Sequence, residues 1–280
     1  MRIDSHHHLW RFNEAEYGWI DESMDLLRRD FLLDELEKEI KAAGIDATVA
    51  VQARESVDET WWLLECARSS SFINGVVGWV PLGSDNLSAL LDEFDGQTKL
   101  AGFREVVQGK PSGYLLQRSF NRDIEELGRR GFTYDVLIYE HQLVEAAHFL
   151  DRHPNQRFVV DHAAKPRIAA NELEPWKKNL LELARRPNVF CKISGLVTEA
   201  DWKSWTPELL APYLDVCVEA FGPERLMAGS DWPVCLVASG YSRWWDVLRG
   251  YFADFSEDET GRIFGENAID FYKLRGLPLI

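Results

Sequence analysis

Asp4-Ser5-His6-His7-His8, read against Gly229-Ser230-Asp231-Trp232-Pro233 near the other end of the chain, decides the fold. In a β-strand alternate side chains share a face, so His6 and His8 point one way and His7 the other. Two imidazoles aimed at one point, with a distant carboxylate, suit a metal site or a proton-transfer site. The run is too short for a purification tag, and the apolar Leu9-Trp10 follows it at once.

From that first strand the pattern repeats. Short apolar runs predict strands at Met1–Asp4, Ala47–Gln52, Val76–Val80, Ala101–Arg104, Thr133–Ile138, Arg157–Asp161, Val189–Ile193 and Arg225–Ala228. Helical spacing fills the gaps, as at Leu143, Ala147 and Leu150 or at Leu210, Tyr213 and Cys217. Pro207 reads as a first-turn proline behind a Thr206 cap, and Ser256–Glu259 as a capping box. Alternating strands and helices predict a (β/α)8 TIM barrel over residues 1–280 as one domain. An open doubly wound sheet is the alternative, but no GxGxxG or P-loop follows the first strand. Polar residues sit just past many strands: His6 and His8, Gln52, Arg104, Tyr139, His162, Lys165 and Asp231. Barrel enzymes draw their catalytic groups from those strand ends.

Composition narrows the partners. The chain has 280 residues, 46 acidic against 31 basic, and a formal net charge of −15. Such a charge repels nucleic acid and anionic membranes, and no apolar stretch is long enough to span a bilayer. The N-terminus reads as a polar strand rather than a signal peptide. The 4 cysteines lack CxxC spacing, which predicts free buried thiols and a cytoplasmic setting. Self-association into a homo-oligomer is left open.

Each candidate has its own chemistry. Arg104 can grip a carboxylate or diol through its fork of donors, or belong to a structural ion pair. His162 can bind a metal or donate to a substrate oxygen, and Lys165 can meet an anion. Trp10 and Trp232 adjoin motif residues and could stack on a sugar ring, with Gln52 and Tyr139 as further binders.

With these residues placed, the chain resembles the amidohydrolase superfamily, in its amidohydrolase-2 branch of L-fuconolactonases, L-rhamnonolactonases and 2-pyrone-4,6-dicarboxylate lactonases. The resemblance spans the chain. It rests on Asp4–Trp10, Phe103-Arg104 with Val106–Gly109, Val160–Pro166, Lys192–Leu196 and Gly229–Pro233. It implies hydrolysis of a small lactone, most naturally a sugar lactone such as L-fuconolactone or L-rhamnonolactone, to its acid. Asp231 would be the general base, one of His6, His8 and His162 would polarise the carbonyl or orient water, and Arg104 would hold the oxyanion. The alternatives are a metal-dependent decarboxylase or amide hydrolase of the superfamily, and a silent sugar-acid binding protein. Metal-dependent members carry a Lys, Glu or Cys after strand four, or a His after strand five. Here Arg104 stands at the first place and Leu137-Ile138-Tyr139 at the second, with His141 displaced. A binuclear site is therefore not expected. His6, His8 and Asp231 could still hold a single Zn²⁺. The expectation is that no ion is required and that one divalent ion binds at partial occupancy at most.

Overall fold

A computed structural model describes residues 1–277. Eight parallel strands form one sheet in sequence order: β1 Ile3–His7, β2 Ala47–Val51, β3 Ile73–Gly78, β4 Leu100–Val106, β5 Thr133–Leu137, β6 Phe158–Val160, β7 Val189–Lys192 and β8 Leu226–Met227. The sheet curls until β8 meets β1. There the Ser5 N–H donates to the Ala228 carbonyl at 3.1 Å, Asp231 N–H to the His6 carbonyl at 2.8 Å, and His8 N–H to the Trp232 carbonyl at 2.6 Å. This is the expected (β/α)8 barrel, nearly closed.

The helices between strands are α1 Leu33–Ala43, α2 Val57–Ser69, α3 Leu87–Glu93, α4 Arg118–Arg129, α5 Leu143–Leu150, α6 Trp176–Leu183, α7 Pro207–Phe221 and α8 Tyr241–Tyr251. They pack on the outside of the strands through a continuous apolar layer. After α9 Glu257–Gly261, α10 Asn267–Tyr272 sets Phe271 and Tyr272 against a second cluster that includes Ile3, Ala47 and Val49, near the strand starts. That plug closes the N-terminal end and leaves the C-terminal end for chemistry.

Local signals explain the helix ends. Ser256 and Glu259 form the expected capping box, and Pro207 occupies the first turn of α7. Thr206 precedes that turn, but its side chain makes no capping bond. Strand bounds differ from expectation where polar residues are buried. β1 runs on through His6 and His7, and β4 extends to include the buried Glu105. An apolar pattern cannot mark a strand whose inward residues are charged and paired. All four cysteines are buried and free. Among the described residues no helix is long and apolar enough to cross a membrane.

Candidate active site

The two-residue strand period brings His6 and His8 together. Their Nε2 atoms lie 3.2 Å apart at the barrel mouth, while His7 turns away to the Thr48 hydroxyl at 2.9 Å. The His8 Nδ1 lies 2.8 Å from the Val51 carbonyl, which can only accept, so Nδ1 carries a proton. The other nitrogen faces the site.

Asp231 closes the constellation. Its Oδ1 is 3.3 Å from His8 Nε2, 3.7 Å from His6 Nε2 and 3.8 Å from His162 Nε2. Its backbone is left-handed, at φ 59°. Asp4 secures that conformation from below. The fully buried Asp4 carboxylate accepts from Ser230 N–H at 2.8 Å, the Ser230 hydroxyl at 2.6 Å and the Tyr241 hydroxyl at 2.9 Å. The Ser230 hydroxyl oxygen in turn accepts from Trp232 N–H at 2.9 Å. Burial opposes ionisation of Asp231, but the imidazoles of His162, His8 and His6 outweigh it and hold the carboxyl below its usual range. It is ionised at neutral pH.

His162 opens an unusual segment. His162, Ala163, Ala164 and Lys165 all have left-handed φ, between 49° and 57°. Each such residue costs about 1–2 kcal/mol, so the turn persists only because its surroundings hold it. The His162 Nδ1 meets the buried Ser194 hydroxyl at 2.9 Å. Behind it stands Gly195 at φ 65°, where a Cβ would come within 2.6 Å of that Nδ1. Only glycine fits there without displacing the ring. Burial lowers the His162 pKa to about 4, against the pull of Asp231, so the ring is neutral at pH 7.

Beneath the histidines runs a buried ionic chain. The Asp161 carboxylate lies 3.0 Å from Arg104 Nη1, 3.0 Å from Lys192 Nζ and 3.4 Å from His6 Nδ1. Lys192 also binds Asp135, which accepts from the Tyr272 hydroxyl at 2.8 Å. Burial disfavours a charge on Asp161, yet Lys192, His6 and Arg104 hold it well below the usual carboxylate range. Burial, helped by neighbouring Asp161, raises Asp135 to about 6. Burial and Lys192 keep His6 neutral.

Above these residues lies a cavity of about 160 Å³, walled by His8, Arg104, His162, Lys165 and Asp231 on its polar side. Trp19, Ala53, Val106, Leu137 and Val234 form its apolar side, and Gln108 completes it. Lys165 lies 3.8 Å from Glu199. The other proposed binders fall elsewhere. Gln52 is fully buried and serves Arg104: its side-chain carbonyl accepts from Nη2 at 3.1 Å, and its amide donates to the Arg104 carbonyl at 3.3 Å. Tyr139 is half-buried outside the cavity wall, beneath the Lys165 ammonium.

Trp10 and Trp232 correct the expectation outright. Both are wholly buried and pack on Phe31, and the Trp10 indole N–H donates to the Arg29 carbonyl at 2.9 Å. The aromatic at the mouth is Trp19, on the loop after β1, a residue without a periodic signal. Asp161 and Lys192 lie inside motifs quoted above, but only their cross-strand pairing gives them a role. His141 is exposed and lies apart from the cavity.

Glu59 holds the loop that carries Ala53. This fully buried carboxylate accepts from the N–H groups of Ala53 at 3.0 Å and Arg54 at 2.9 Å. Burial is the chief cause that pushes its pKa up to about 7. A raised carboxylate pKa means that the folded state keeps the proton longer, so stability falls as pH rises from about 4.5 to about 7. The shift corresponds to about 3 kcal/mol. Glu59→Gln removes that dependence. The melting temperature of the variant minus that of the parent should therefore rise between pH 5 and pH 8. A difference that is flat or falls with pH would remove Glu59 as the cause.

The donor set fits a divalent ion. His6 Nε2, His8 Nε2 and Asp231 Oδ1 are 3.2–3.7 Å apart. Ligands of a tetrahedral zinc are separated by about 3.3 Å. With Nδ1 of His8 turned to the Val51 carbonyl, its Nε2 faces Asp231 and His6 and is placed to bind a cation between them. The chain thus holds a candidate metal site in His6, His8 and Asp231. His6, Asp161 and His162 form a second such group, but Asp161 is already taken by Arg104 and Lys192.

This barrel, with paired strand-one histidines facing an aspartate after strand eight, is the architecture of an amidohydrolase. Residues 3–274 match the Amidohydro_2 (amidohydrolase) family, and the chain belongs to it. A relative named L-fucono-1,5-lactonase, from Burkholderia multivorans, is 40% identical over 98% of this chain and 96% of its own length. Another of that name, from Burkholderia ambifaria, is 34% identical over 98% of this chain and 96% of its own. A crystal structure of an amidohydrolase from Burkholderia multivorans with bound zinc superposes with a TM-score of 0.95 at 40% identity, covering 98% of this chain and 99% of that one.

Proposed function

We propose that this protein hydrolyses a small sugar lactone, of the L-fucono-1,5-lactone kind, to the aldonic acid. The observation that carries this reading is the ionised Asp231 among three histidines on the floor of a one-ring cavity, in a chain 40% identical to an L-fucono-1,5-lactonase. A water held at Asp231 attacks the lactone carbonyl, and Asp231 takes its proton. A carboxylate held so low is a weak base. It suffices because the water becomes strongly acidic as its oxygen bonds to carbon. Neutral His162 orients that water or the carbonyl. Arg104 and Lys165, the cations of the cavity wall, stabilise the charge that develops on the carbonyl and ring oxygens. As the ring C–O bond breaks, the proton passes from Asp231 to the ring oxygen, which becomes a hydroxyl.

His6, His8 and Asp231 would hold a divalent ion, which would supply Lewis acidity to the carbonyl. We propose that turnover does not require it, because Arg104 Nη1 already places a cation 3.3 Å from His6 Nε2 and a lactone is a reactive ester. The test is acid release from a panel of aldonolactones and dicarboxylate lactones, before and after dialysis against a strong chelator, with metal analysis. Aldonolactones should be hydrolysed fastest, with zinc at partial occupancy and activity that survives the chelator. No acid release above the spontaneous rate from any lactone would overturn the lactonase reading. Activity lost in step with zinc, and restored by adding it back, would overturn the ion-independent mechanism.

A further inference from the structure

The catalytic cavity does not end at its mouth. Across Trp19, Ala53 and Val106, which wall both spaces, it adjoins a larger open groove of about 480 Å³. The groove also has Glu16, Arg54, Glu55 and Ser56 on its walls. Trp19 stands on the border. It is 42% exposed, and only Leu26 and Val144 match it among the described residues as large apolar side chains left in solvent. The buried ring of Trp10 supports it from below, edge to face, with centroids 5.8 Å apart.

The groove is built from two loops that are fastened together. The loop after β1 brings Glu16 and Trp19, and the loop after β2 brings Ala53 to Ser56. Arg54 pairs with Glu16, and its Nε lies 3.7 Å from Glu59. Glu59 itself grips the second loop through two N–H groups and lies 3.5 Å from the Tyr17 hydroxyl. A buried carboxylate at the junction keeps both walls in place without reaching the cavity.

We infer that this groove is an outer subsite for a second sugar unit, with Trp19 as its stacking platform. The substrate class then extends from monosaccharide lactones to lactones that carry a glycosyl substituent, and the glycosidic bond stays intact during hydrolysis. An exposed indole presents an apolar surface to the C–H face of a pyranose, while Glu55, Ser56 and Arg54 offer partners for its hydroxyls. A monosaccharide lactone fills the inner cavity alone and leaves the groove side of the indole wet. The inference rests on the sugar-lactone reading, but it is tested without turnover.

Titration calorimetry compares gluconate with maltobionate, cellobionate and melibionate, acids that share a gluconate end and differ in the hexose attached to it, its anomeric configuration and the hydroxyl that carries it. The common gluconate end keeps the stereochemistry in the inner cavity constant, the two linkage positions vary which hydroxyl is substituted, and Trp19→Ala isolates the groove's share of the affinity ratio. At least one aldobionate should bind about fivefold or more tighter than gluconate. Trp19→Ala should erase the ratio, and Trp19→Phe, which keeps a platform, should retain most of it. If every aldobionate binds equally, more weakly or not at all, the subsite is refuted. A ratio that survives Trp19→Ala refutes Trp19 as its platform. Failure of the lactonase reading shows separately, as absent acid release from monosaccharide lactones.

Discussion

Asp231→Asn is expected to lower kcat by about 10²-fold or more while the barrel stays folded. The amide matches the carboxylate in shape but cannot accept a proton from water. The choice of Asn matters because of the backbone. Asp231 sits at φ 59°, a conformation that Asn tolerates well and most other residues resist. The hydrogen bonds that Asp4 makes to Ser230 do not involve the replaced group. The loss should therefore fall on turnover rather than stability. The measurement pairs kcat on the best lactone with a thermal melt. A folded variant whose kcat stays within a few-fold of the parent would remove Asp231 as the base.

Lys192→Met should be the most destabilising single change near the site. Lys192 is fully buried and serves Asp135, Asp161 and His6 at once. Methionine fills the space, but two buried carboxylates lose their shared cation. Removing one member of a buried pair costs about 3–5 kcal/mol. For a chain of this size that lowers the melting temperature by about 10 °C. The sign of the pH dependence follows from Asp135, whose pKa already stands at about 6. Without Lys192 it rises further, so the folded state takes up a proton and the deficit shrinks as pH falls from 8 to 5. Adding Asp135→Asn should recover part of the loss at pH 8. A melting temperature within about 2 °C of the parent at pH 8 would show that the ionic chain contributes little.

The fold was legible because its signals are local and repeat. An apolar run of four to six residues followed by a polar one marks a strand end wherever it occurs, and eight in a row leave few topologies. The pairing of His6 with His8 was equally legible, since the strand period alone puts them on one face. Trp232 misled because it lies beyond β8, next to the left-handed Asp231, where no strand period sets its direction, and its side chain is buried in the core. Trp10 misled for a different reason. It shares parity with His8, but the chain leaves the sheet after β1 and bridges to Phe31, so parity no longer applies there.

What the sequence by itself determined is the class of residue at each strand end and the face it takes, because both follow from backbone geometry over a few residues. What only the tertiary structure decided is which of those residues meet. Asp161 could have faced solvent as readily as Lys192; the pairing of β6 with β7 sets them 3.0 Å apart, and the curl of the sheet gives Arg104 a buried partner in place of a free fork. Gln52 became a support for Arg104 rather than a binder, and Trp19 reached the cavity from a loop with no period to betray it. These contacts join residues from different strands and loops. Their energies depend on distance and desolvation, which chain order does not encode.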